Sequence, residues 1–241
     1  MKNKYLDEAI RIKREQGSKS ILGFAELFVP HYLGYKTSSA HREIYNTLQA
    51  ITTERGKNIA VAGPRRFGKS TLVTLVYTLY CICYGKEKFV VLISNTSAQA
   101  IQILANIKKE LLENAELRRA FPEVCKAGVI SRLAHWQKDS IITGNKIRVL
   151  ALGSGQKIRG RREGVDRPTL VIADDFENAQ NTFSAEARDK MKELFESSIL
   201  MAGSEKTNHI FLGNLYHPHC LLSEYISNRR RVNGFNSAML L

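Results

Sequence analysis

The stretch "NIAVAGPRRFGKSTLVTLVY" constrains this chain more than any other. Gly63, four residues, then Gly68-Lys69-Ser70 complete the phosphate-loop pattern of Gly, four residues and Gly-Lys-Ser/Thr. The pattern follows an apolar, strand-like run and opens a helix-like one, which is the context it needs. Glycines let backbone N–H groups converge on phosphate oxygens, and the positive end of the following helix dipole points at the same place. Gly63, Pro64, Arg65, Arg66, Phe67, Gly68, Lys69, Ser70 and Thr71 are therefore the expected nucleotide-binding residues. Lys69 is expected on the β- and γ-phosphates and the Ser70 hydroxyl on Mg²⁺, an ion that favours oxygen ligands shared with phosphate. Arg65 and Arg66 add charge beside the triphosphate, as a sensor or as plain solvated charge.

A second signal lies far downstream in "RPTLVIADDFEN", an apolar run from Leu170 to Ala173 ending in Asp174 and Asp175, with Glu177 two residues on. Carboxylates at the end of a buried strand suit a metal ligand and a base that polarises the attacking water. Asp174 takes the metal role; Asp175 is favoured as base, with Glu177 as its competitor. The long interval between Lys69 and Asp174 leaves room for an intervening strand. No Asn-Lys-x-Asp string for reading guanine occurs, which favours ATP over GTP.

Periodicity places five β-type runs at Asn58–Ala62, Phe89–Ser94, Lys146–Leu152, Leu170–Ala173 and His209–Leu212. Helical spacing marks Ser70–Tyr84, Ala98–Leu117, Ser184–Met201 and Pro218–Arg229. Strands apolar on both faces, alternating with helices, predict an α/β domain with a mainly parallel central sheet flanked by helices. Thr143 to Lys146 reads as a hairpin turn behind a short strand at Ser140–Thr143. Residues 1–56 have a different texture and are expected to form a helical appendage, including a helix from about Ala40 to Thr53, on a core of 57–241. The chain ends on an apolar run, which hints at continuation into another domain.

In "HIFLGNLYHPHC" the apolar run breaks at Gly213-Asn214. The Asn214 amide would sit near a γ-phosphate if this strand lies beside the acidic one; a plain turn is the alternative. His217, His219 and Cys220 lack further partners at metal-ligand spacing. Upstream of the acidic strand, "GSGQKIRGRREGVDRP" gathers Arg159, Arg161, Arg162 and Arg167, suited to DNA phosphates or to the nucleotide of a neighbouring subunit.

Charge supports a polyanionic partner: 36 Lys and Arg stand against 23 Asp and Glu, a net +13. The four cysteines share no repeated spacing, which fits a reducing compartment rather than a disulfide framework or zinc ribbon. The charged start is unlike a secretory leader, and the longest apolar stretch, Leu72 to Tyr84, falls short of the about 20 residues that span a bilayer.

Taken in order, "GPRRFGKST", the Gly-Arg-rich stretch leading to "LVIADD", "SAEARDKMKELFESSI" and "FLGNLYHPHCL" resemble the N-terminal ATPase domain of the large terminase subunits of tailed bacteriophages. The resemblance covers about residues 20–230. It implies a P-loop NTPase fold of the ASCE class (an additional strand and a separate catalytic acid) and an Mg²⁺- and ATP-dependent motor. That motor works as a homo-oligomeric ring translocating double-stranded DNA into a procapsid, with portal and small terminase subunit as partners, in the host cytoplasm. It further implies a trans-acting arginine, by position Arg162, then Arg161, then Arg159. Gly213-Asn214 would be the coupling motif, and the adenine would bind ahead of the phosphate loop, within "FVPHYLGYKTSSAHREIY". Asp175 departs from the more frequent Glu, and the nuclease domain of the family has no room in this chain. A helicase- or recombinase-like ATPase and a non-hydrolysing DNA-binding module are the competing readings.

Overall fold

The computed structural model describes residues 2–34, 37–125, 136–156, 167–227 and 235–239. Its centre is a seven-stranded sheet in the order β3-β4-β2-β5-β6-β1-β7. The strands are β1 (Asn58–Ala62), β2 (Phe89–Ser94), β3 (Ser140–Ile142), β4 (Arg148–Gly153), β5 (Leu170–Asp174), β6 (Asn208–Gly213) and β7 (Phe235–Met239). Every neighbouring pair is parallel except β3 and β4, which form the expected hairpin.

Successive residues of the inner strands feed opposite faces, as the two-residue strand period requires. Val61, Val90, Leu92, Ile172, Ile210 and Leu212 pack into one apolar cluster, and Ala60, Ala62, Val91, Ile93, Ala173 and Phe211 into the other. Both faces are covered, which is why these runs carry no polar alternation. On the first face lie α1 (Lys2–Ser18), α2 (Ile21–Phe28), α3 (Ser39–Thr53), α4 (Ser70–Tyr77, continued by Thr78–Cys83) and α5 (Ser97–Glu113), followed by the short α6 (Ala115–Ala120) and α7 (Pro122–Cys125). The first turns of α4, over Ser70–Tyr77, are wound as a π-helix. On the second face lie α8 (Ala185–Leu194, extended by Phe195–Ile199) and α9 (Leu221–Ser227).

The N-terminal helices share the core. Phe24 of α2 meets Tyr80 of α4, Tyr84 just past its end and Phe121 beyond α6, at ring-centroid distances of 5.7, 5.9 and 6.5 Å. The helix expected over Ala98–Leu117 breaks at Asn114, whose extended backbone interrupts it and whose Oδ1 accepts the N–H groups of Glu116 and Leu117. An Asn that satisfies orphan donors this way starts a new helix rather than continuing the old one. Cys81, Cys83, Cys125 and Cys220 are all free and buried, and burial pushes each thiol pKa up. Among the described residues no helix is long and apolar enough to cross a membrane.

An ion pair between a half-buried arginine and a buried carboxylate ties the strand beginnings together. Arg55, just ahead of β1, donates to both carboxylate oxygens of Glu87, ahead of β2, at 2.5 and 2.9 Å. It also donates to the carbonyls of Thr169 and Lys206, ahead of β5 and β6.

Candidate functional site

The strand order settles how the motifs meet. β6 lies between β1 and β5, with Ala62 level with Gly213 and Asp174 level with Leu212. The phosphate-loop strand and the acidic strand therefore never touch, and the turn after β6 emerges between them. Gly213 ends that strand, its α-carbon close enough that an added Cβ would lie 3.7 Å from Asp175 Oδ1.

Loop geometry follows from its residues. Gly68 has φ +84, a left-handed conformation that costs glycine little, and Arg66 is held at φ +66. Lys69 folds over the loop, buried to 7% exposure, and its Nζ donates to the carbonyls of Gly63 (2.7 Å) and Pro64 (2.9 Å) and to Asn214 Oδ1 (3.1 Å). All three ammonium donors are used, and all three acceptors are neutral. Burial pulls the Lys69 pKa down; Asp175 and Asp174 oppose it.

Asp174 sits at 3% exposure under the loop. Its Oδ1 accepts the Ser70 hydroxyl at 2.9 Å and its Oδ2 the Thr74 hydroxyl at 2.6 Å. Burial raises its pKa to about 6, against the two hydroxyl hydrogen bonds and Lys69, which favour the carboxylate. Thr74 was not among the expected site residues, yet it lies four positions after Ser70, one turn along the same helix face. Ser70 and Asp174 bring hydroxyl and carboxylate oxygens together, a donor set that fits Mg²⁺. Among the described residues no group of three or more His, Cys, Asp or Glu gathers, so an all-protein cage is absent there and an ion held with phosphate and water suits the site better.

Asp175 has φ +47, its N–H donating to Leu212 O at 3.0 Å, and its Oδ1 lies 3.4 Å from Asn214 Nδ2. Left-handed backbone is several-fold more frequent for Asp and Asn than for most residues, a physical reason for the shorter acid at this position. Burial raises the Asp175 pKa, while Lys69 and Arg65 lower it. Asn214 thus bridges lysine and acid. Arg65 reaches the same turn, its guanidinium 5.7 Å from the ring centroid of Tyr216 and 3.5 Å from the hydroxyl.

Glu177, the competing candidate for the base, lies at the exit of β5. It is 3% exposed, and its two oxygens accept the N–H groups of Leu221 (2.8 Å) and Leu222 (2.9 Å) at the start of α9. Both oxygens are engaged by backbone N–H groups. Arg159, Arg161 and Arg162 lie outside the described residues; Arg167 donates to Gly203 O at 3.1 Å.

Beside the loop lies a cavity of about 210 Å³ lined by Tyr32, Leu33, Thr37, His41, Arg66 and Phe67, among others including Thr71. Its walls come from residues 32–34, Thr37 and His41 and from the loop itself. His41 caps α3, with Nδ1 accepting the Ser38 N–H and Nε2 3.0 Å from Phe67 O, a pairing that puts the proton on Nε2. The His41 and Phe67 rings lie 4.4 Å apart. Tyr32 is held by Glu110, a buried acid of α5 that accepts from its hydroxyl at 2.9 Å, lies 2.9 Å from His31 Nε2, and accepts the Asn114 amide at 2.8 Å. Nothing local in the sequence links Glu110 to this wall.

A phosphate loop at a strand–helix junction, an acidic strand one place removed and a third strand between them give the chain the fold of a P-loop NTPase with an inserted central strand. It matches no family model and no curated protein sequence. Among solved structures it is similar to the large terminase ATPase domain of Thermus phage P74-26, solved as a mutant, at 12% identity, covering 87% of this chain and 83% of that one with a TM-score of 0.48.

Proposed function

We propose that this chain is an ATP-hydrolysing motor domain that translocates double-stranded DNA, of the terminase type. The observation that carries the ATPase reading is the convergence of residues from three strand ends, Lys69 bonded to Asn214 and Asn214 to Asp175, with Ser70 bonded to the adjacent Asp174. The DNA reading is supported by the +13 net charge and by the ordered motifs that resemble terminases.

In this reading the triphosphate lies along residues 63–71 and the base enters the cavity beside His41 and Phe67. Lys69 exchanges the neutral carbonyls it now contacts for β- and γ-phosphate oxygens. Ser70 and Asp174 would hold Mg²⁺, which supplies charge neutralisation on the phosphates when bound. Asp175, made more basic by burial, takes a proton from water as its oxygen bonds to the γ-phosphorus and the bond to the bridging oxygen of ADP breaks. Asn214, touching both Lys69 and Asp175, senses that change. Positioning and electrostatics carry the reaction, because phosphoryl transfer asks for little covalent chemistry from the protein. An arginine from a neighbouring subunit, Arg162 before Arg161 and Arg159, would complete the site within a ring.

The test is ATP turnover with and without duplex DNA across protein concentration. Stimulation by DNA, weakening steeply with salt, and specific activity that rises with concentration support the reading. DNA binding without any turnover, even at high concentration, would leave a non-hydrolysing module.

A further inference from the structure

Glu177 belongs to the acidic strand's exit yet is bonded to the first turn of a helix that begins more than forty residues later. Between those two places runs the segment Asn214–Cys220, which leaves β6 and enters α9. Its near end is held at the site, where Asn214 contacts Lys69 and Asp175. Its far end is held by Glu177, two residues beyond Asp175. Residues 175–177 and 213–222 thus form a closed bracket, with Phe176 at its base buried against Phe195 and Phe211. A buried carboxylate with two backbone donors is a demanding connection: removing either side leaves polar groups unsatisfied away from water.

We propose that Glu177 is a positioning residue, which anchors the far end of the Asn214–Cys220 segment so that Asn214 stays between Lys69 and Asp175 and transmits the nucleotide state to α9. The inference rests on the nucleotide reading of the phosphate loop given above. Asn214 cannot follow a lysine that shifts from the Gly63 and Pro64 carbonyls to phosphate without loading the segment behind it. With the far end anchored on the same short stretch that carries Asp175, that load reaches α9, which packs on β1, β6, β7 and α8. Without the anchor the segment slackens and the helix does not respond.

Hydrogen exchange read by mass spectrometry on the whole chain tests this, comparing wild type with Glu177→Gln, with and without Mg²⁺ and the β,γ-imido analogue of ATP. In wild type the analogue should protect both residues 63–72 and residues 214–222. In Glu177→Gln it should bind with the same stoichiometry and affinity and still protect 63–72, while protection of 214–222 is lost. Turnover should fall by about tenfold or more with KM unchanged, a split that a smaller folded fraction would not give at full binding stoichiometry. Glu177→Asp, which withdraws the carboxylate by one methylene, serves the same comparison if the Gln variant does not fold.

If wild-type 63–72 shows no protection, the nucleotide reading fails and this inference falls with it. If 63–72 is protected but 214–222 responds alike in both proteins, the nucleotide reading stands and the positioning role is overturned. A loss of turnover beyond about a thousandfold with the segment's response intact would make Glu177 the base instead, and also overturns it.

Discussion

The two edges of the sheet both bury charge, and they do so in opposite ways. At the edge where the strands begin, Arg55 and Glu87 meet directly, and every guanidinium nitrogen has an acceptor. Burial alone would lower the Arg55 pKa, and the Glu87 carboxylate more than reverses it. At the edge where the strands end, Lys69 bonds neutral carbonyls and an amide, and Asp174 bonds two neutral hydroxyls. Opposite charges lie close there without pairing. The first arrangement is closed and holds four strand beginnings in place. The second leaves each charge on neutral partners, and buried charges of this kind mark functional sites.

Substitutions can break that contrast. The largest effect is expected from Arg55→Ala, which strands the Glu87 carboxylate: urea unfolding should show a loss of about 3–5 kcal/mol, the cost of removing one partner of a buried pair. A loss well under about 1 kcal/mol would mean this edge is as open as the other. Next, Lys69→Ala should cut ATP turnover by about a hundredfold or more, because it removes a charge aimed at the transferring phosphoryl group. Its thermal midpoint should move far less than that of Arg55→Ala; near-wild-type turnover would displace the site altogether.

Asp174→Asn should do the reverse of Arg55→Ala. Replacing a buried carboxylate whose burial outweighs its two hydroxyl hydrogen bonds should stabilise the fold at pH 7 by at most about 3 kcal/mol, while Mg²⁺-dependent nucleotide binding weakens. Stability that falls in this variant would show that Asp174 is already satisfied. The smallest effect sharpens the same point through pH. Asp174 titrates at about 6 when folded, above its ordinary range, so between roughly pH 4 and 6 the folded chain holds a proton that the unfolded chain releases. Wild-type stability, without metal or nucleotide, should therefore decline as pH rises through that window. Asp175 and Glu177, also raised by burial, add in the same direction, and Asp174→Asn should flatten the slope.

The strand, loop and helix of residues 58–77, the five main strands and the position of Asp174 at the end of β5 are legible because each is signalled within a dozen neighbouring residues. The hairpin was legible for the same reason. Strand order was not, since it depends on which strands associate: only the insertion of β6 between β1 and β5 brings Asn214 to Lys69. The partners of Glu177 are not legible, because two residues of spacing beyond Asp175 say nothing about backbone donors on α9. Glu110 escaped for a similar reason, acting on the cavity wall from α5, whereas His41 lies within the stretch expected to meet the adenine. Thr74 was within reach, since helix spacing alone puts it on the face of Ser70.

The four buried thiols have a practical consequence for watching this molecule work. Each is shielded from solvent and held in its protonated form, so maleimide and iodoacetamide reagents find little thiolate to attack in the folded chain. The native sequence is thereby a chemically quiet background for site-specific fluorophores. A single cysteine introduced at exposed Phe183 or Met201 would carry a dye without stripping the natural ones out.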